Sequence, residues 1–237
     1  MKEDNVYRCE IEKFNKMSQE WWNKNGSMKA LHEINTLRLE WVLSVCSSIK
    51  NRDILDVGCG GGIFSESLSV LGANVTGIDL AEDLIKIANY HRSRNLLDIN
   101  YITISAEELA RSEKEKYDVV VCMEMLEHVP EPVSIIESCS LLVKDGGTVL
   151  FSTINRNLKS FLFSIIGAEY LLKLLPIGTH NYKLFIKPSE LINYSRLFRL
   201  ELIDLIGLSY NPINGKFSLS NNVDINYFIS FRKNILI

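Results

Sequence analysis

The 237-residue chain predicts a Rossmann-like α/β fold, a mostly parallel sheet wound on both faces by helices. Three observations carry that expectation. From residue 51 onward, short apolar runs alternate with amphipathic stretches. The first run enters a glycine-packed turn, ILDVGCGGG, from Ile54 to Gly62. The second, VTGID, ends on the carboxylate of Asp79, about twenty residues further on. A strand, a glycine turn and a second strand tipped by an acid lay out a nucleoside-cofactor site at the carboxyl edge of a parallel sheet.

The elements follow in order. Phe14, Met17, Trp21 and Trp22 form one apolar set at helical spacing, and Leu31, Ile34, Leu37, Leu39, Trp41 and Val42 begin a second helix. Residues 1–50 are therefore expected to be a helical cap. Strands are expected at Ile54–Val57, Asn74–Ile78, Asn100–Ile104, Tyr117–Met123 and Thr148–Ser152, with helices near Ile63–Leu71, Ala81–Arg92 and Pro132–Leu142 between them. Such alternation implies right-handed crossovers. An apolar insertion, residues 155–187, precedes the last helix. Leu200–Tyr210 and Val223–Phe231 then read as strands joined by the turn-rich Asn211–Gly215, an antiparallel edge. The expected total is a seven-stranded sheet in one domain over residues 1–237, with no repeat or linker to divide it.

Bulk properties exclude several classes. A formal net charge of −3 leaves no basic footprint for nucleic acid. The five cysteines, Cys9, Cys46, Cys59, Cys122 and Cys139, include no C-x-x-C pair, so they read as reduced thiols. Charges interrupt the N-terminal segment where a signal peptide needs an apolar run. No stretch reaches the roughly 18 apolar residues of a membrane span. A cytoplasmic protein is expected.

Within the turn, Gly58, Gly60 and Gly62 let the backbone bend sharply and approach a ligand. Counted from Gly58, the last glycine of a dinucleotide pattern is replaced by Ile63. The spacing suits S-adenosylmethionine better than a pyrophosphate, and it disfavours a nicotinamide oxidoreductase. The start of the following helix suits a carboxylate, and Asp79 can accept both hydroxyls of a ribose. Ser105, Ala106, Glu107 and Glu108 follow the third strand, where backbone groups could reach an adenine. Met123 either covers a purine or is ordinary core. Arg38 either binds the cofactor carboxylate or is a solvated charge.

Beyond the fourth strand, Glu124, Glu127 and His128 stand at i, i+3 and i+4, on one side of a helical turn. Two carboxylates and an imidazole suit a hard divalent cation such as magnesium, or they form an acidic surface loop. A phenol has a pKa near 10, so a phenolic acceptor needs either a Lewis acid or a base such as His128. From Phe161 to Leu175 only Glu169 and Lys173 are charged. That segment either lies on a membrane surface, aided by Lys159, Lys173, Lys183 and Lys187, or roofs an acceptor tunnel, or is core. His180 is a second candidate base.

Taken together, LDVGCGGG, TGID, YDVVVCMEMLEHVPEP, FSTINRN, GAEYLLKLLPIGTH, FIKPSEL, GLSYNPI and VDINYF resemble the bacterial ubiquinone-biosynthesis O-methyltransferases, from Phe14 to Arg232. The resemblance implies a class I methyltransferase fold using S-adenosylmethionine to methylate polyprenylated phenols and demethylubiquinol. It implies cofactor contacts at Arg38, Gly58, Asp79 and Met123, to which the turn adds Gly60. It implies a catalytic cluster of Glu124, Glu127 and His128, which in related mitochondrial enzymes holds a divalent metal. It also implies contact with anionic membrane lipid through Phe161–Leu175, and partner enzymes of the quinone pathway. Two other readings remain: a methyltransferase with a different quinone or small acceptor, and a lipid-bound scaffold for quinone-pathway enzymes.

Overall fold

The computed structural model describes residues 5–160 and 182–235. The expectations placed on Phe161–Leu175 and His180 lie outside the described residues. In chain order come α1 (Arg8–Met17), α2 (Lys29–Cys46), β1 (Asp53–Val57), α3 (Ile63–Val70), β2 (Asn74–Asp79), α4 (Glu82–Arg94) and β3 (Ile99–Thr103). They are followed by α5 (Ala106–Ser112), β4 (Tyr117–Met123), α6 (Pro132–Leu142), β5 (Val143–Ile154) and a helical turn α7 (Leu158–Ser160). Last come α8 (Pro188–Leu197), β6 (Leu200–Asn211), β7 (Lys216–Ser220) and β8 (Asn226–Lys233).

The strands form one sheet in the order β3-β2-β1-β4-β5-β8-β6-β7. The first five are mutually parallel, and β8, β6 and β7 join antiparallel. The strand order reverses between β1 and β4, and α/β sheets bind ligands at such a switch point.

The sheet has eight strands where seven were expected. The added one, β7, pairs with the end of β6 from Gly207↔Ser220 to Asn211↔Lys216. Its only large apolar residues, Phe217 and Leu219, alternate with polar ones and pack on one face. A polar edge strand half-buried on one side carries little sequence signal. Helix α5 was also not anticipated. Ser105 starts it, its Oγ accepting the Glu108 N–H at 3.1 Å, a capping role.

Period-2 alternation divides the core between the two faces of the sheet. Leu55, Val57, Val120, Cys122, Val149 and Phe151 meet α5, α6 and α8 on one side. Ile54, Val119, Val121, Met123 and Leu150 meet α2, α3 and α4 on the other. Burial on both faces is why β1 and β4 read as largely apolar runs, interrupted within the buried stretch of β1 by Asp56. Pro132 opens α6, where the missing N–H costs nothing.

Helix α2 is anchored by Trp41, 1% exposed. Its ring lies 5.3 Å from that of Phe228 on β8, and its Nε1–H donates to Asp204 Oδ2 on β6 at 2.9 Å. One turn earlier the same helix carries Arg38 into the site. Trp41→Ala is expected to cost roughly 3–5 kcal/mol, lowering Tm by roughly 6–20 °C. Calorimetry checks this; a shift under about 3 °C would mean that α2 is held elsewhere.

Candidate active site

The chain turns as soon as β1 ends. Gly58, Gly60 and Gly62 take φ of +71°, +54° and +88°, values that are cheap only without a Cβ. The N–H groups of Gly58 and Cys59 both donate to the Ile78 carbonyl, at 2.9 and 3.0 Å, tying the turn to β2. Asp79 then fastens it to α4: Oδ2 accepts the Gly60 N–H at 2.9 Å and Oδ1 accepts the Ala81 N–H at 2.8 Å. Burial pushes the Asp79 pKa up, while these backbone donors pull it back. Each oxygen keeps acceptor capacity beyond its one bond.

The glycines serve a second purpose. A Cβ on Gly60 or Gly61 would lie 2.4 or 2.3 Å from the Trp21 ring, and one on Gly58 would lie 2.7 Å from Met125 Cγ. Trp22 Nε1–H donates to the Gly61 carbonyl at 2.9 Å. The N-terminal cap thus packs straight onto the backbone of the turn.

Behind the turn sits a buried charge cluster. Arg38, 3% exposed, places Nη2 3.6 Å from Glu124 Oε1, an ion pair rather than a hydrogen bond. Glu124 takes φ +53°, a conformation costing about 1 kcal/mol or more without glycine. It is held there by its N–H, which donates to the carbonyl and the Oγ of Ser152 at 3.1 and 3.0 Å. Asp56 on β1 accepts from Ser65 Oγ at 2.6 Å. Burial pushes its pKa up to about 6, against the Ser65 bond and the charge of Arg38. Glu127 accepts from Thr153 Oγ1 at 2.8 Å. Burial and then the like charge of Glu124 push it up to about 7. Burial lowers the Arg38 pKa and the carboxylates raise it again; a guanidinium stays charged throughout. Arg38 Nε and Nη2 are buried without a hydrogen-bond acceptor among the described residues, a planar donor pair suited to a carboxylate.

The expected metal triad is not assembled. A helical turn would have grouped Glu124, Glu127 and His128. Instead the left-handed Glu124 is followed by a 3-10 turn over Leu126–His128, and the three side chains part. Glu124 meets Arg38, Glu127 turns inward to Thr153, and His128 Nδ1 lies 2.8 Å from Glu10 Oε2 on α1. Among the described residues, Glu124 Oε1 and Glu127 Oε1 are buried without hydrogen bonds, but a fixed cation, Arg38, already stands beside the first. Among the described residues no three His, Cys, Asp or Glu side chains come together as a cation site. The donor set does not fit a preformed magnesium centre.

Even so, one cavity of about 350 Å³ gathers Arg38, Gly58, Gly60, Asp79, Met123, Glu124, Glu127 and His128, together with Ser105 and Glu107. Met123 faces α2 at the end of β4, 7% exposed. An apolar wall continues through Leu31, Ile34, Leu208, Tyr210 and Phe217. Sequence reasoning missed Asp56 and Glu10. An acid inside the apolar run ILDV was a legible signal for the first. Nothing in the charged stretch around Glu10 marked the second.

A methyltransferase domain model matches residues 14–201. Among curated relatives, the ubiquinone biosynthesis O-methyltransferase of Bordetella bronchiseptica is 52% identical over 229 residues, covering 97% of this chain and 95% of its own. That of Pseudomonas entomophila is 51% identical over 225 residues, covering 95% and 97%. The chain belongs to the ubiquinone biosynthesis O-methyltransferases. A solved magnesium protoporphyrin IX methyltransferase from Synechocystis PCC 6803 with bound SAH aligns with TM-score 0.71 at 17% identity, over 96% of this chain and 99% of that one. At that distance the likeness speaks to the fold: this O-methyltransferase has the class I methyltransferase sheet, with its antiparallel edge lengthened by β7.

A raised Asp56 pKa has a definite sign for stability. Between the unfolded pKa near 3.9 and the folded value of about 6, the folded state keeps a proton that the unfolded state has lost. Stability from this group is therefore full below about pH 4 and is lost as pH rises through about 6. Asp56→Asn is expected to flatten that fall. Urea midpoints from pH 4 to 7 test it, and parallel profiles for the two proteins would rule Asp56 out as the linked group.

Proposed function

We propose that this enzyme methylates a phenolic oxygen of polyprenylated ring intermediates, the 2-polyprenyl-6-hydroxyphenol and the 3-demethylubiquinol, with S-adenosylmethionine as donor. One observation carries the reading: a single cavity joins a nucleoside-type site at Asp79 to an imidazole at His128 and to an apolar wall. A ribose, a base for a phenol and room for a prenyl chain are thereby served together.

Asp79 would take the ribose hydroxyls, and the bared backbone of Gly58 and Gly60 would lie along the methionine portion. Met123 would meet the adenine and Arg38 the carboxylate. The bound cofactor supplies an electrophilic methyl group on a positively charged sulfur. His128 takes the acceptor's hydroxyl proton, and the oxygen's electron pair forms the new O–CH₃ bond as the S–CH₃ bond breaks. Alignment of donor and acceptor does much of the rest.

A polyprenyl tail makes the acceptor membrane-borne, so the enzyme is placed at the inner face of the cytoplasmic membrane. The apolar run Phe161–Leu175, with Lys159, Lys173, Lys183 and Lys187 around it, supports contact with anionic lipid there. Enzymes of the same pathway would supply and receive the quinone intermediates. Among the described residues no helix is long and apolar enough to cross a membrane.

The decisive assay is methyl transfer from labelled S-adenosylmethionine to a short-chain demethylubiquinol, with and without chelator. Turnover is expected to survive chelator. Turnover abolished by chelator and restored by magnesium would replace the histidine base with a metal. Cofactor binding without transfer to any phenol would refute the acceptor class. His128→Ala should lower kcat by roughly 10²–10⁴-fold, leaving cofactor affinity near wild type. Asp79→Asn should do the reverse, weakening cofactor binding roughly tenfold to a hundredfold. Calorimetry beside the kinetics separates the two.

A further inference from the structure

Glu10 belongs neither to the glycine turn nor to the buried charge cluster, yet it faces the same cavity as both. It stands on α1, 118 residues from His128, and its Oε2 lies 2.8 Å from His128 Nδ1. Phe14, one turn further along α1, meets the same imidazole edge-on, with ring centres 5.2 Å apart. One helix of the cap therefore supplies both a polar partner for one ring nitrogen and an apolar wall for the ring.

We infer that Glu10 is a positioning residue for methyl transfer, holding the His128 imidazole in the tautomer and orientation in which Nε2 faces the acceptor. The inference rests on the proposed role of His128. A carboxylate can only accept from an imidazole, so the bond places the proton on Nδ1 and leaves the Nε2 lone pair bare. Nε2 has no hydrogen-bond partner among the described residues. Glu10 remains ionised: burial pushes its pKa up, but the His128 bond and charge, with Lys13 at 3.4 Å, outweigh that and hold it below the usual range. A fixed negative charge at Nδ1 also stabilises the imidazolium formed as the acceptor proton arrives, the logic of a carboxylate–histidine pair.

The arrangement also makes the N-terminal cap part of the chemistry. Asn5 pins the start of the cap, donating to Glu107 Oε1 at 2.8 Å and accepting the Glu131 N–H at 2.8 Å. Trp22 pins its other end on the Gly61 carbonyl. Between those two ties, α1 brings Glu10 to His128, so the base is completed only with the cap seated on the sheet.

The tests are kinetic and spectroscopic. Glu10→Ala should lower kcat on the order of 10²-fold at saturating acceptor with cofactor affinity unchanged. The loss should be smaller than the ~10⁴ of a fully buried pair, because the Glu10 side chain is 23% exposed. Glu10→Gln, which can still accept the Nδ1 proton but carries no charge, should fall between Ala and wild type. Asn5→Ala loosens the cap without touching the imidazole and should lose far less than Glu10→Ala. Nitrogen-15 spectra of histidine-labelled protein, with His128 assigned by its Gln variant, should show the Nδ1–H tautomer in wild type and lose it in Glu10→Ala. Equal losses in the Asn5 and Glu10 variants, or an Nε2–H tautomer in wild type, would overturn the assignment. The spectra need no acceptor, so a wild-type protein that methylates no phenol would sink the functional reading while the tautomer was still measured.

Discussion

One buried positive charge organises this molecule. Arg38 is taken out of water on α2, a step worth several kcal/mol of lost hydration unless opposite charges meet it. Glu124, Asp56 and Glu127 supply them from the carboxyl edge of the sheet. Three carboxylates around one guanidinium are more negative charge than it can neutralise. Two of them, Asp56 and Glu127, have raised pKa values because they are buried, with the charge of Glu124 adding to the rise at Glu127. Among the described residues, donor atoms of Arg38 and acceptor atoms of Glu124 and Glu127 are buried without hydrogen bonds. Such a cluster is costly as architecture and useful as a binding site, because a ligand can complete it.

The cluster is placed by the fold rather than by local sequence. Parallel strands bring the ends of β1, β2 and β4 together at the switch point, so residues from Asp56 to His128 share one rim. Glu124 is the hinge of that rim. Its left-handed backbone turns the chain off β4, and the double acceptance by Ser152 on β5 holds the turn in place. The strain is tolerated because neighbouring strands over-determine it.

The N-terminal cap closes the other side and ties the glycine turn to the chemistry. Trp21 fills the space that side chains on Gly60 and Gly61 would occupy. Trp22 stacks on His91 with ring centres 3.4 Å apart, and His91 in turn meets Glu66 on α3 at 2.8 Å. The glycines are thus demanded by two things, a backbone with positive φ and the close approach of an indole. Positive φ alone would ask for Gly58, Gly60 and Gly62, and the indole alone for Gly60 and Gly61.

The order of residues alone carried the fold class, the five parallel strands and the glycine turn with Asp79 opposite. Those features are local: period-2 apolar runs, turn glycines and short motifs carry their meaning within a few residues. Tertiary structure decided what those residues touch. Spacing at i, i+3 and i+4 predicted that Glu124, Glu127 and His128 would converge, because it presupposed a regular helical turn. One left-handed residue and a 3-10 turn sent them to Arg38, Thr153 and Glu10 instead. Glu10 and β7 were invisible for a related reason. A single acid on a charged helix, and an edge strand with alternate polar residues, acquire a role only when other elements are folded against them, His128 from 118 residues away in the first case.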